Sequence, residues 1–127
     1  MSKKILIVDD EVYIRALLEQ TLEDLEGAGV EILSVSNGQE AWKVAQSERP
    51  DLVIVDVMMP GISGYKVCQL IKSDAALSHA HVIMLTARGQ EIDRLHGAEV
   101  GANEYMTKPF DPDYLIERAT DVLGIGV

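Results

Sequence analysis

Short apolar runs and longer periodic segments alternate along the whole of this chain. Lys4-Ile5-Leu6-Ile7-Val8 is a β-branched run that stops abruptly at Asp9-Asp10-Glu11, which predicts a buried strand ending on acid. Over 12–25, Ile14, Leu17, Leu18, Thr21, Leu22 and Leu25 recur at helical spacing and predict an amphipathic helix, closed by Gly27 and Gly29. A weaker strand is expected at 31–35, a turn at Ser36-Asn37-Gly38, and a helix over 39–47 burying Ala41, Trp42 and Ala45. Arg49-Pro50 ends that helix, because proline drives its predecessor out of the α region. Leu52-Val53-Ile54-Val55 is the most apolar run and terminates at Asp56. Pro60-Gly61 and Gly64 punctuate the next loop, and a helix is expected over 65–72. A fourth strand over 81–85 ends at Thr86, and a helix over 91–100 closes near Gly101. A short fifth strand over 103–107 ends at Lys108-Pro109, and the last helix, 113–123, has Pro112 near its start.

Five strands alternating with five helices predict an α/β fold: a doubly wound, five-stranded parallel sheet covered on both faces. With no repeat, low-complexity tract or linker, residues 1–127 read as a single domain. Composition is ordinary for a globular chain of 127 residues, 47% hydrophobic and 25% charged. The net charge of −10 changes the picture more, because such a surface repels a phosphate backbone and argues against direct nucleic-acid binding. No apolar stretch approaches the roughly 18 residues of a membrane span, and the start lacks a signal-peptide core. The expectation is a cytoplasmic protein without membrane contact. The lone Cys68 fits a reducing compartment, and its apolar neighbours mark it as a small hydrophobe.

Chemistry gathers at the strand ends. In open α/β sheets, sites form beyond the carboxyl ends of the strands. Here those ends carry Asp9, Asp10, Asp56, Thr86 and Lys108. Each has an ordinary explanation when taken alone: the first two aspartates as helix caps, the threonine as a strand residue, the lysine as surface. Asp56 is harder to explain so, because an acid directly after four buried aliphatics is costly without a partner. Converging on one rim, three carboxylates would repel one another, and a divalent cation resolves that conflict. An all-oxygen donor set suits Mg²⁺, and a carboxylate left free can attack phosphorus to give an aspartyl phosphate. His79, His81 and His96 lack metal-ligand spacing and are expected in a loop, at a strand start and on a helix surface. Trp42 and Tyr114 are expected as packing or surface aromatics, and Ser63-Gly64 as a turn.

Four segments together, Ile7-Val8-Asp9-Asp10-Glu11, Val53-Ile54-Val55-Asp56-Val57-Met58-Met59-Pro60-Gly61, Leu85-Thr86-Ala87 and Tyr105-Met106-Thr107-Lys108-Pro109-Phe110, resemble the response-regulator receiver family of two-component signalling. The likeness covers essentially the whole chain. It implies a flavodoxin-like strand order 2-1-3-4-5, an order general to flavodoxin and the chemotaxis receiver that comes with the resemblance and not from the periodicity. It also implies that Asp56 is the phosphoacceptor, with Asp10 binding Mg²⁺ directly and Asp9 helping through water. The Met58 backbone carbonyl would join the metal, and Thr86 and Lys108 would contact phosphoryl oxygens. Tyr105 takes the switch position with Thr86, and the Lys108–Pro109 bond is expected to be cis. The phosphoryl donor would be a histidine kinase or a histidine phosphotransfer protein. Met58 and Arg88 would flank the path of attacking water, and neither is a base, so the chain would catalyse only its own phosphorylation and slow dephosphorylation. The face bearing Arg94, Glu99, Glu104 and Arg118 matches charged positions of regulators that pair symmetrically, though Asn103, Tyr114 and Thr120 depart from that pattern. A weak homodimer on phosphorylation is the expectation.

Two other functions compete. A haloacid-dehalogenase-like phosphatase also forms an aspartyl phosphate, but needs a second Asp where this chain has Met58. A flavodoxin-like cofactor binder would need aromatic-rich loops, which are missing. Output is open: Thr86-Ala87-Arg88-Gly89 and Arg94 resemble regulators with a winged-helix domain, whereas Val67-Cys68-Gln69 and Lys72-Ser73-Asp74 resemble receivers joined to cyclic-dinucleotide synthases. A stand-alone phosphorelay protein and a piece of a longer regulator are both compatible with the ending at 124–127.

Overall fold

The computed structural model describes residues 3–87 and 101–125. Its strands are β1 (Lys3–Val8), β2 (Val30–Val35), β3 (Leu52–Asp56), β4 (His81–Ala87) and β5 (Glu104–Lys108). They pair in parallel in the order β2-β1-β3-β4-β5. The helices among the described residues are α1 (Val12–Leu22), α2 (Gly38–Glu48), α3 (Gly64–Ser73) and α4 (Pro112–Leu123), with a 3₁₀ helix at Glu23–Ala28. The helix expected over 91–100 lies outside the described residues. No helix among those described is long and apolar enough to cross a membrane.

Strand alternation divides the core into two layers. Leu6, Val8, Val53, Val55, Val82 and Met84 face α2 and α3, meeting Ala41, Ala45, Val67, Cys68 and Ile71. Ile5, Ile7, Leu52, Ile54, Ile83 and Leu85 face the other way, against Leu18 and Leu22 of α1 and Leu115, Ala119 and Leu123 of α4. β3 is buried at all five positions, as a central parallel strand covered on both sides must be. Side-chain caps fix the starts of α2, α3 and α4, but not of α1. Asn37 accepts from the Glu40 N–H at α2, Ser63 from Lys66 at α3, and Asp111 from Asp113 at α4.

The boundaries mostly fall within a residue of expectation, and the exception is instructive. The helix expected to run to residue 25 ends at Leu22 and tightens into 3₁₀ geometry, closed by Gly29 at φ 88°. With three residues per turn, Leu25 stacks over Leu22 and stays buried. Leu17 was grouped with the core face but is 39% exposed. It lies roughly 100° round the helix from Leu18, and the buried stripe is narrower than the apolar spacing suggests. Trp42 is half-buried against the α2–α3 layer, Tyr114 is exposed, and Cys68 is buried, outside any disulfide. His79 lies in the turn before β4 and His81 begins that strand, whereas His96 lies outside the described residues.

This orientation of α1 makes a stability prediction. Leu18→Ala should cost about 3 kcal/mol, the range for a buried leucine, and Leu17→Ala less than about 1 kcal/mol. Urea denaturation of both variants checks it. Equal losses would mean that α1 is rotated from the position described.

Candidate functional site

The strand register assembles the site at the carboxyl edge of the sheet. Val8 pairs with Val55, so Asp9 and Asp56 leave adjacent strands side by side. Continuing the alternation, Asp9 follows Ile5 and Ile7, Asp56 follows Leu52 and Ile54, and Lys108 follows Met106. All three therefore project on the α1–α4 face of the sheet. Lys108 reaches across from the edge strand β5. Its Nζ lies 3.0 Å from Asp9 Oδ2, 3.2 Å from Asp56 Oδ2 and 3.9 Å from Glu11 Oε1. The Lys108–Pro109 bond is cis, as expected.

Asp9 is fully buried and Asp56 is 5% exposed, whereas Asp10 and Glu11 are open to solvent. Asp9 Oδ1 accepts the Glu11 N–H at 2.9 Å and so shapes the turn into α1, but α1 itself has no side-chain cap, contrary to the capping alternative for Asp9 and Asp10. That role leaves its Oδ2 in ion-pair contact with Lys108, in a geometry outside that of a hydrogen bond. Asp56 Oδ1 accepts the Met58 N–H at 3.2 Å, and the Val57 N–H donates to Leu85 O at 3.0 Å, tying the loop exit to β4.

Carboxylate oxygens of Asp9, Asp10, Glu11 and Asp56 all lie within 4.8 Å of one another. Glu11 is the member that sequence reasoning left out, although it stands in the same acidic run. Burial pushes the Asp56 carboxyl up to about 6 and Asp9 adds to the rise, while Lys108 and the Met58 N–H oppose it. For Lys108 burial favours loss of the proton, but Asp9 and Asp56 together outweigh it and raise its pKa. Among the described residues four carboxylates face the Lys108 ammonium and the Arg15 guanidinium, which donates to Asp9 O at 2.7 Å, so negative charge is in excess, and every candidate ligand atom is a hard oxygen. The residues present therefore fit a small divalent cation of the Mg²⁺ type.

Thr86 is buried at the end of β4, one residue beyond Leu85, the register partner of Asp56. By alternation it lies on the other side of the sheet, with Val82 and Met84. Tyr105 pairs in register with Met84 and packs, half-buried, against that same layer. Met58 is 65% exposed on the loop leaving Asp56. Arg88, Arg94 and Glu99 lie outside the described residues, so the expectations resting on them are not located.

A sequence profile described as the response regulator receiver domain matches residues 5–120. The chain belongs to the response regulator receiver family. Among its relatives is the alkaline phosphatase synthesis transcriptional regulatory protein PhoP of Bacillus subtilis. That protein is 42% identical over 123 residues, which are 97% of this receiver and 49% of the relative. The chain thus spans about half the length of the curated relatives it matches. A putative response regulator from Chloroflexus aurantiacus superposes with a TM-score of 0.86 at 35% identity, covering 98% of this chain and 100% of that one. The receiver domain of the sensor histidine kinase PA1611 from Pseudomonas aeruginosa superposes at 0.85 with 26% identity, covering 98% and 100% of the two chains. That structure holds a magnesium ion coordinated in its active-site cleft. The flavodoxin-like order 2-1-3-4-5 is thereby both observed and that of the family.

The position of Asp56 sets the pH behaviour of the metal-free receiver. A carboxyl raised from 3.8 to about 6 binds its proton more tightly when folded, so its contribution to stability is present at low pH and lost as pH rises through about 6. Asp56→Asn should therefore raise the unfolding free energy by about 1–2 kcal/mol at pH 7.5 in a metal chelator, allowing for the lost Lys108 contact. The gain should shrink below pH 6 and nearly vanish near pH 4. Denaturation at the two pH values measures it, and a pH-independent difference would contradict burial as the dominant cause.

Proposed function

We propose that this receiver accepts a phosphoryl group on Asp56 from the phosphohistidine of a histidine kinase or histidine phosphotransfer protein. One observation carries the reading: a buried carboxylate with an ammonium 3.2 Å away stands among three further carboxylates within 4.8 Å. At neutral pH Asp56 is ionised and able to act as nucleophile. A carboxylate oxygen attacks phosphorus, the new O–P bond forms as the N–P bond to the imidazole breaks, and the imidazole departs. Lys108 moves its charge from Asp56 to a phosphoryl oxygen, and the Thr86 hydroxyl donates to another, so both act mainly by electrostatic stabilisation. Asp10 and Asp56, with Asp9 and the Met58 backbone carbonyl, would hold Mg²⁺, and Glu11 stands close enough to influence it. When bound, Mg²⁺ relieves the mutual repulsion of the carboxylates and neutralises charge on the transferring group.

Turnover is not the purpose of such a site. Met58 offers no general base, so hydrolysis of the acyl phosphate is slow and the group serves as a signal. Thr86 drawn toward the phosphoryl group frees space for Tyr105 on the opposite layer, a local charge biasing a two-state element. The face containing β5 and α4 then changes. Arg118 of that face already places Nε and Nη2 each 2.8 Å from the Glu104 carboxylate and Nη1 3.1 Å from Asp121. His81 contacts Glu104 as well. Charges satisfied within one chain contribute little between two, and exposed pairs add only about 0–1 kcal/mol each. Any phosphorylation-dependent homodimer is therefore weak and salt-sensitive.

Wild type incubated with Mg²⁺ and acetyl phosphate should gain one phosphoryl group by intact mass, and Asp56→Asn should gain none. Lys108→Ala should be labelled about 100–1000-fold more slowly, the scale of losing one charge-stabilising group. Full labelling of Asp56→Asn would end the proposal. Sedimentation of the phosphorylated protein should show a monomer–dimer equilibrium that weakens with salt, and an unchanged monomer at high concentration would remove the dimer.

A further inference from the structure

Two glycines beside the site do not use glycine's backbone freedom. Gly38 opens α2 and Gly64 opens α3, and neither has the positive φ found at Gly61, which is 77°. Their backbones would tolerate any L residue, so space is what forbids one. A Cβ on Gly64 would lie 2.1 Å from the Asp56 carbonyl oxygen and 3.0 Å from Val57 Cα. A Cβ on Gly38 would lie 2.6 Å from the Ile62 carbonyl oxygen and 2.8 Å from Ile62 Cβ. Helix α3 thus begins directly on the backbone of Asp56. Helix α2 begins directly on the loop that leaves it.

That loop, residues 57–63, carries Met58, whose N–H holds Asp56 Oδ1. Its two ends are fixed, by Val57 N–H to Leu85 O at 3.0 Å and Gly64 N–H to Val57 O at 3.1 Å. Between them Met58, Pro60 and Gly61 are exposed, and half-buried Ile62 rests on Gly38. We infer that Gly38 is a positioning residue for the Asp56 site: by letting α2 approach Ile62 without a side chain, it sets the height of the 57–63 loop and so of Met58. Helix α2 is the rigid partner. Ala41 and Ala45 are fully buried, and Asn37 caps the first turn at 2.9 Å. A methyl group added at Gly38 therefore displaces the loop and leaves the helix in place, and the displacement arrives at Met58.

The inference rests on the phosphoacceptor reading for its consequence but not for its geometry. Gly38 is the first residue of α2, so helix propensity adds little there, and a Cβ against the Ile62 backbone costs some stability as the loop shifts; the positioning role is therefore read from the Met58 amide and Mg²⁺ affinity and not from activity alone. In the Gly38→Ala variant, the Met58 amide resonance should shift in metal-free protein, and Mg²⁺ affinity should fall about tenfold, the scale of a disturbed supporting contact. Acetyl phosphate labelling, measured well below the lowered unfolding midpoint, should slow with it. Ile62→Ala, which trims the side chain resting on Gly38 and leaves α2 intact, should give a smaller loss in the same direction. An unshifted Met58 amide and wild-type Mg²⁺ affinity in Gly38→Ala would overturn the inference. If Gly38→Ala does not fold, the same null result in Ile62→Ala would overturn it. Wild type that neither binds Mg²⁺ nor takes label would instead remove the phosphoacceptor reading, and the Met58 amide, read without metal, would still decide the positioning role.

Discussion

Everything at the carboxyl edge of this sheet is arranged around one electrostatic conflict. Asp9 and Asp56 leave neighbouring parallel strands side by side, both buried, with Lys108 spanning the gap. Burial is the main reason the Asp56 carboxyl is raised; Lys108 opposes the rise and Asp9 adds to it. Removing any one charge shifts the balance for the rest. The fold supplies the rigidity that keeps these groups together: β1 and β3 are buried along almost their whole length and register-locked to each other.

Rigidity is not uniform around the site. The strand ends are held by the sheet, but the 57–63 loop depends on close backbone approaches from two helices. The charged side chains and the loop answer to different constraints, one electrostatic and one steric. A change at Gly38 and a change at Lys108 would both disturb the site, by routes that share no atom.

Much of this architecture is legible in the amino-acid sequence. Buried strands declare themselves by continuous apolar runs, and Leu52-Val53-Ile54-Val55 before Asp56 marked the centre of the sheet without ambiguity. The gathering of Asp9, Asp10, Asp56 and Lys108 followed from strand ends plus topology. The site's fourth carboxylate did not, because Glu11 reaches the cluster only through the turn that Asp9 itself builds. Leu17 misled because apolar spacing fixes a stripe but not its width. The helix beyond Leu22 misled because periods of three and 3.6 residues both bury Leu25. The role of Gly38 was not legible at all. A glycine near a turn reads as punctuation, and only the distance to Ile62 shows that it is a spacer.

The alternation of the strands has one more consequence. Asp9, Asp56 and Lys108 stand on the side of the sheet covered by α1 and α4, while Thr86 and Tyr105 stand on the side of Val82 and Met84. The sheet is thus a partition between two neighbourhoods that share few side chains. A change in one layer therefore reaches the other through the shared strand backbones and through Thr86 near the end of β4. The strand ends are thus the one place where the charge cluster and the far layer meet, and a signal set in the first has a short way to travel to the second.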